Sequence, residues 1–258
     1  DSAALLDATV GYEPGAPWGM LCGPAPFGLA ASRDPRPLRV ALNLSVPDVA
    51  IHADCRAAVE QAARLLEDLG HKVEPAAPAL DYGRLNEVQN ILIAVDVAAD
   101  LQAAEQARGK PIAPPEIEPM TAMIRRAAAD FSQYAFSRAL RDMHGIGRQM
   151  GAFQRDYDVI LQPVTATPPP RIGTITYREG DSLEEYTGRF KRVSAFTHLY
   201  NMSGQPSMSV PLGMSAEGLP IGVMFSARVG DDATLFSLAG QLERAAPWQA
   251  RRPPITAG

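Results

Sequence analysis

From residue 53 to 69 the apolar side chains Cys55, Val59, Ala62, Leu66 and Leu69 recur at three- and four-residue steps, the period of a helix with one buried stripe. Glu60–Arg64 and Arg64–Asp68 fall four apart on the outer face and predict weak ion pairs. Gly70 stands where a left-handed cap ends such a helix. Before it, Leu38 to Leu42 is an apolar run, and after it Lys72 to Glu74 opens another, so strand–helix–strand predicts a parallel βαβ unit.

Around this unit the pattern changes twice. Ser2 to Val10 predicts a short helix closed by Gly11 and Pro14, and residues 12–37, rich in Pro and Gly, predict an irregular loop. Asn86 to Arg108 predicts a second long helix, and Thr121 to about Met150 a third, with Leu140, Met143, Gly147 and Met150 on one face. Glycines at 145, 147 and 151 weaken that helix and predict close packing of a neighbour against it. The remainder is strand-rich. Val159 to Leu161 is a short buried strand entering the rigid loop Pro163-Val-Thr165-Ala-Thr167-Pro-Pro-Pro170. Ser207 to Leu212 and Ile221 to Ala227 predict a hairpin, with Pro211 marking an edge or a bulge. Asp231 predicts the cap of a last helix with the stripe Leu235, Leu238, Ala239 and Leu242, ended by Pro247.

Composition narrows the class. The chain has 258 residues, 46% hydrophobic and 21% charged, as in a globular protein. Its net charge of −5 argues against nucleic acid or an anionic membrane as the main partner. No run of ~18 apolar residues and no leader pattern is present. Cys22 and Cys55 show no CxxC and read as ordinary thiols of a reducing, cytoplasmic protein. The chain opens on Asp1-Ser-Ala-Ala-Leu-Leu, already helical and without methionine, which reads as a fragment or a processed product.

Known catalytic patterns fit poorly. Gly213-Met-Ser215-Ala-Glu-Gly218 is one residue too long for a nucleophile elbow and lies in the hairpin turn. Ser203 and Ser209 have no neighbouring lysine or histidine to activate them except His198, which reads as a core or surface residue. His52, His71, His144 and His198 lack metal-binding spacing, and no dinucleotide or phosphate loop follows the strand at 38–42. No cofactor or metal is expected. Glu184-Glu185 reads as a solvated face and Asp231-Asp232 as a cap.

One run is specific. Phe196-Thr-His-Leu-Tyr200-Asn201-Met-Ser-Gly204-Gln205-Pro206-Ser-Met-Ser209-Val-Pro211-Leu-Gly213, followed by Gly218-Leu-Pro220-Ile-Gly222, resembles the closing signature of the amidase signature family. Leu38-Arg-Val-Ala-Leu with residues 52–74, and Asp156-Tyr-Asp158-Val-Ile-Leu-Gln-Pro163-Val-Thr165 with Pro169 and Ile172-Gly173, resemble earlier pieces of it in the same order. Met224 departs from the pattern, standing where the family commonly has Gln. The resemblance implies an α/β fold, an α/β/α sandwich around a mixed sheet, of which this chain is an incomplete carboxy-terminal part. Residues 1–258 would form one partial domain with a helical region at about 80–155, a region that would set the substrate and has no readable code.

In that family a lysine and a cis-serine relay a proton from a nucleophilic serine, and backbone N–H groups hold the oxyanion. The resemblance places all three residues upstream of Asp1, so none is assigned here, and the chain alone is expected to be inactive. Thr165, Phe196, Thr197 and Tyr200 are the candidates for lining the substrate cleft. The implied partners are a small-molecule amide substrate, the missing amino-terminal half of the amidase domain and a second copy in a homodimer, with no nucleic acid and no membrane. General amidases and hydrolases of cyclic amide oligomers are the nearest members. A non-catalytic α/β binding or scaffold module, or a protein like the A subunit of the tRNA-dependent amidotransferases, is the alternative.

Overall fold

The computed structural model describes residues 1–15, 26–178 and 180–253. Cys22, much of the expected loop 12–37 and the Glu184 side chain lie outside the described residues. Two compact units form: Asp1–Ala77 with Gly151–Pro169 and Arg192–Gly258, and Pro78–Met150 with Pro170–Lys191.

The first unit is built on a five-stranded mixed sheet. β1 (Arg39–Leu42), β2 (Lys72–Pro75), β3 (Val159–Pro163), β4 (Ser207–Met214) and β5 (Pro220–Ala227) lie in the order β2-β1-β3-β5-β4. β1 runs parallel to both β2 and β3, while β5 is antiparallel to β3 and β4. The βαβ unit is therefore as the sequence predicts. So is the hairpin, and Pro211 sits both on the edge strand β4 and in the register shift between Val210 and Gly213.

Period-two alternation decides what each face buries. Val40, Val159, Leu161, Val223 and Phe225 point to one face and join Cys55, Val59, Leu66, Leu235, Leu238 and Leu242 in one apolar cluster. The helices beneath it are α3 (Ala53–Asp68) and α9 (Asp232–Ala245). On the opposite face Ala41, Ile160, Gln162, Met224 and Ser226 are also buried. A strand buried on both sides, as β3 is throughout, shows no alternation; its apolar run is broken only by Gln162.

Local chemistry closes these elements. The Gly70 and His71 N–H groups return to the Glu67 and Leu66 carbonyls at 2.9 and 3.0 Å, with Gly70 at φ +88°. The only i,i+4 ion pair on α3 among the described residues is Arg56–Glu60 at 3.9 Å, not the two expected ones; exposed pairs of this kind are worth little and are easily exchanged. Asp231 occupies the cap position of α9, but its carboxylate accepts the Thr234 hydroxyl at 2.6 Å and no backbone N–H.

Two expectations are corrected. The loop 12–37 contains a short helix, α2 (Phe27–Ala31), whose first N–H groups, Phe27 and Gly28, donate to the Asp7 carboxylate of α1 (Ser2–Thr9) at 2.5 and 2.8 Å. The stretch 121–150 is two helices, α5 (Pro119–Ala128) and α6 (Gln133–Phe153), parted where the Ser132 hydroxyl accepts the Ala135 N–H at 3.2 Å. Among the described residues nothing beyond α6 itself approaches the Cβ positions of Gly145 or Gly151.

In the second unit α4 (Tyr82–Arg108) packs with α5. Arg125 holds Glu105 bidentately at 2.8 and 2.9 Å, and Arg84 pairs with Asp142. A further helix, α7 (Leu183–Ser194), starts with a capping box: the Ser182 N–H donates to Glu185 at 2.9 Å and the Glu185 N–H to the Ser182 hydroxyl at 3.2 Å. Glu185 is exposed, as expected of a solvated face, and also caps the start of this helix.

Candidate functional site

The parallel strands β1 and β3 end side by side, and in open α/β sheets such carboxyl ends are where ligands bind. Three connections meet there. The His52 N–H donates to the Ala166 carbonyl at 2.8 Å, and the Ala166 N–H donates to the Arg192 carbonyl at 2.8 Å. The third link is made by side chains. The Ser45 N–H meets Asn43 Oδ1 at 3.0 Å, which turns Asn43 Nδ2 toward Gln162 Oε1 at 3.1 Å. Gln162 Nε2 is then left to donate to the Phe196 carbonyl at 3.1 Å. Asn43 and Gln162 are both buried, and this one-way relay satisfies both carboxamides.

The four residues predicted to line a cleft lie on two of these connections. Thr165 follows β3 and is half-buried; its hydroxyl donates to the Thr167 carbonyl at 2.6 Å. Thr197 is half-buried and donates to the Ser194 carbonyl at 3.1 Å, ahead of the short helix α8 (His198–Ser203). Phe196 and Tyr200 are buried, at 2% and 6% exposure, within the described chain. The Gln162–Phe196 bond brings the segment that carries Phe196, Thr197 and Tyr200 to the end of the strand that leads into Thr165.

One group escaped sequence reasoning, and a second, His198, reads there only as a core or surface residue. Gln162 was hidden inside an apolar strand, its only signal being a polar side chain in a run otherwise buried on both faces. His198 donates through Nδ1 to the Ser194 carbonyl at 3.0 Å, and its buried Nε2 has no hydrogen-bond partner among the described residues. Burial lowers the imidazole below its ordinary pKa despite that carbonyl, so it stays a neutral acceptor at neutral pH.

The other serines near the signature have structural duties. Ser203 donates to Gln205 at 2.8 Å, and Ser215 accepts the Leu219 N–H at 3.0 Å in the hairpin turn. Gln205 in turn donates to Gln154 and to the Ala227 carbonyl. His71 is buried and structural: its Nδ1 accepts the Leu38 N–H at 3.0 Å and its Nε2 faces Gln241 at 2.8 Å. Asp158, at the start of β3, gathers Arg36 at 2.7 Å, the Arg39 N–H at 2.9 Å and Arg228 at 3.2 Å. Burial pushes its carboxyl up, but the Arg36 bond, the Arg39 N–H and the two guanidinium charges outweigh that and hold it below the usual carboxylate range. In the second unit an open groove of about 380 Å³ between α4, α5 and the start of α6 is lined by Val95, Ala99, Gln102, Phe131 and Phe136, without a titratable group. No helix among the described residues is long and apolar enough to cross a membrane.

A mixed sheet with parallel β1, β2 and β3 and helices packed on it, and with Asn43 and Gln162 bonded near the carboxyl ends of β1 and β3, defines an α/β protein. Comparison with known proteins carries this to a family. The model of the family described as Amidase matches residues 1–236. The 6-aminohexanoate-cyclic-dimer hydrolases of Paenarthrobacter ureafaciens and of Pseudomonas sp. (strain NK87) are each 32% identical to the chain, over 99% of it and 53% of their own length. A solved structure of 6-aminohexanoate cyclic dimer hydrolase complexed with substrate superposes with a TM-score of 0.90 at 31% identity, covering 98% of this chain and 54% of that one. The chain belongs to the amidase family, and it spans about half the length of the curated relatives it matches.

Proposed function

We propose that this chain is the carboxy-terminal part of one amidase domain that hydrolyses the C–N bond of a small carboxylic amide, with the serine nucleophile supplied from upstream. The observation that supports it is the likeness, along 99% of the chain, to a hydrolase of 6-aminohexanoate cyclic dimer about twice as long. A cyclic or linear amide oligomer is accordingly the substrate class. In the reaction an upstream serine hydroxyl, its proton taken up by the lysine and cis-serine relay, adds to the amide carbonyl. Collapse of the tetrahedral oxyanion expels the protonated amine and leaves an acyl-enzyme, which water cleaves to the acid. This chain supplies walls rather than reacting groups: Thr165, Phe196, Thr197 and Tyr200. By the β4–β5 register Ser207 and Ser209 turn their backbone N–H and C=O groups away from β5, an edge able to take the upstream half. That the matched relatives are named as hydrolases favours this reading over a non-catalytic scaffold.

The test is to express the 258-residue chain alone and together with its upstream sequence, and to follow amine release from 6-aminohexanoate cyclic dimer and from simple linear amides. The expected result is an inert chain and an active whole. Hydrolysis by the chain alone, or none by the whole, overturns the reading.

A further inference from the structure

Gln162 is 1% exposed, on a strand whose neighbours Val159, Ile160 and Leu161 are wholly buried and apolar. A carboxamide there is costly unless both ends are bonded, and an apolar side chain would fill the same space at no such cost. What the carboxamide does is therefore informative. It makes no bond to Met224, its cross-strand partner in register, which offers no comparable polar atom. Instead it takes Asn43 on one side and reaches the Phe196 carbonyl on the other. The segment from Arg192 to Tyr200 is tied to the β3 end by the backbone bond from the Ala166 N–H to the Arg192 carbonyl, which a change of side chain leaves in place, and by the side-chain bond from Gln162 to the Phe196 carbonyl. Of these two, the bond to Phe196 lies nearer in the chain to Thr197 and Tyr200.

We propose that Gln162, held in orientation by Asn43, is a positioning residue that sets the place of the Phe196–Tyr200 wall against the amide substrate. This rests on the amidase reading and deepens it, since the wall is that reading's substrate-facing surface. Gln162 touches no reacting atom; its effect passes through the Phe196 carbonyl. A wall displaced by a fraction of an ångström loses contacts made equally in ground and transition states, and loses more with a large amide that spans the wall than with a small one that does not.

The test has two arms. In the full-length enzyme, Gln162→Met, similar in length but without hydrogen bonds, should speed amide hydrogen exchange at Thr197 to Tyr200 and leave β1 and β3 protected. In the full-length enzyme the same variant should raise KM for the cyclic dimer by about tenfold with kcat within about threefold, and raise it much less for a short linear amide. Gln162→Glu, which keeps the length but cannot donate to the Phe196 carbonyl when ionised, should behave like Gln162→Met. Unchanged exchange at residues 197–200 overturns the proposal whatever the kinetics. A lowered melting temperature with KM unchanged for both amides also overturns it, by showing a purely structural role. A wild-type enzyme without turnover overturns the amidase reading and this proposal with it, and is told apart because the wild type itself fails.

Discussion

Residue positions whose role depends on a neighbour far away in sequence are the ones the chain conceals. Gly240 is an example: it reads as an ordinary helical glycine, yet a Cβ there would run into the Ala31 backbone carbonyl. Gly151 reads the same and has open space. Gly240→Ala is expected to cost about 1–3 kcal/mol or more, whereas Gly151→Ala should stabilise by up to about 1 kcal/mol; urea denaturation of the two variants checks both signs. Asp158 gives a pH prediction. Its folded carboxyl is held below the usual range, so the stabilisation is complete above the unfolded value of about 3.9 and is lost as pH falls through the lower folded value. Asp158→Asn should cost about 1–3 kcal/mol at neutral pH, and its melting temperature should converge with the wild type's in acid. Cys55 is buried, and burial, with Asp54 adding to it, pushes its thiol up to about 11. It should resist alkylation in the native chain and react once the chain is unfolded, as peptide mass mapping would show.

Elements were legible where their own periodicity carried them. α3, α4, α9 and the β4–β5 hairpin announce themselves through buried stripes and turn residues. α2 does not, because five residues are too few for a helix that stands alone; it exists because the Asp7 carboxylate accepts its leading N–H groups and Phe27 rests against Phe236 at 5.5 Å. Asp7→Ala is therefore expected to lower stability by about 1 kcal/mol, and the loss should show as faster hydrogen exchange confined to residues 27–31. The break between α5 and α6 had a local signal, Ser132 as a helix start, that a continuous helical period overrode. The Ser182–Glu185 capping box was likewise present in the sequence and read as surface charge.

The whole first unit has two unlike sheet edges. β2 ends in Pro75 and carries the exposed Lys72–Glu74 pair, which discourages pairing with another strand. β4 is eight residues long and uncharged, and its outward side is covered at Pro211, where Arg251 donates to the carbonyl at 2.8 Å. Ser207 and Ser209 present the stretch left to pair. On the amidase reading the isolated chain should associate through this edge, and sedimentation velocity should show that association fall when the upstream half is co-expressed. A monomer at every concentration with an independent cooperative melt would contradict the shared-sheet picture.

The sequence by itself determined the α/β class, the βαβ unit, the hairpin and the family resemblance, because periodicity, turn chemistry and a run of fixed glycines and prolines are all local. Tertiary structure decided the sheet order, the helix α2, the duty of each buried carboxamide and the tie between Gln162 at the end of β3 and the Phe196 carbonyl. Those depend on which distant backbone carbonyl or carboxylate a polar side chain can reach, and only the folded chain brings Asn43, Gln162 and Phe196 within hydrogen-bonding distance.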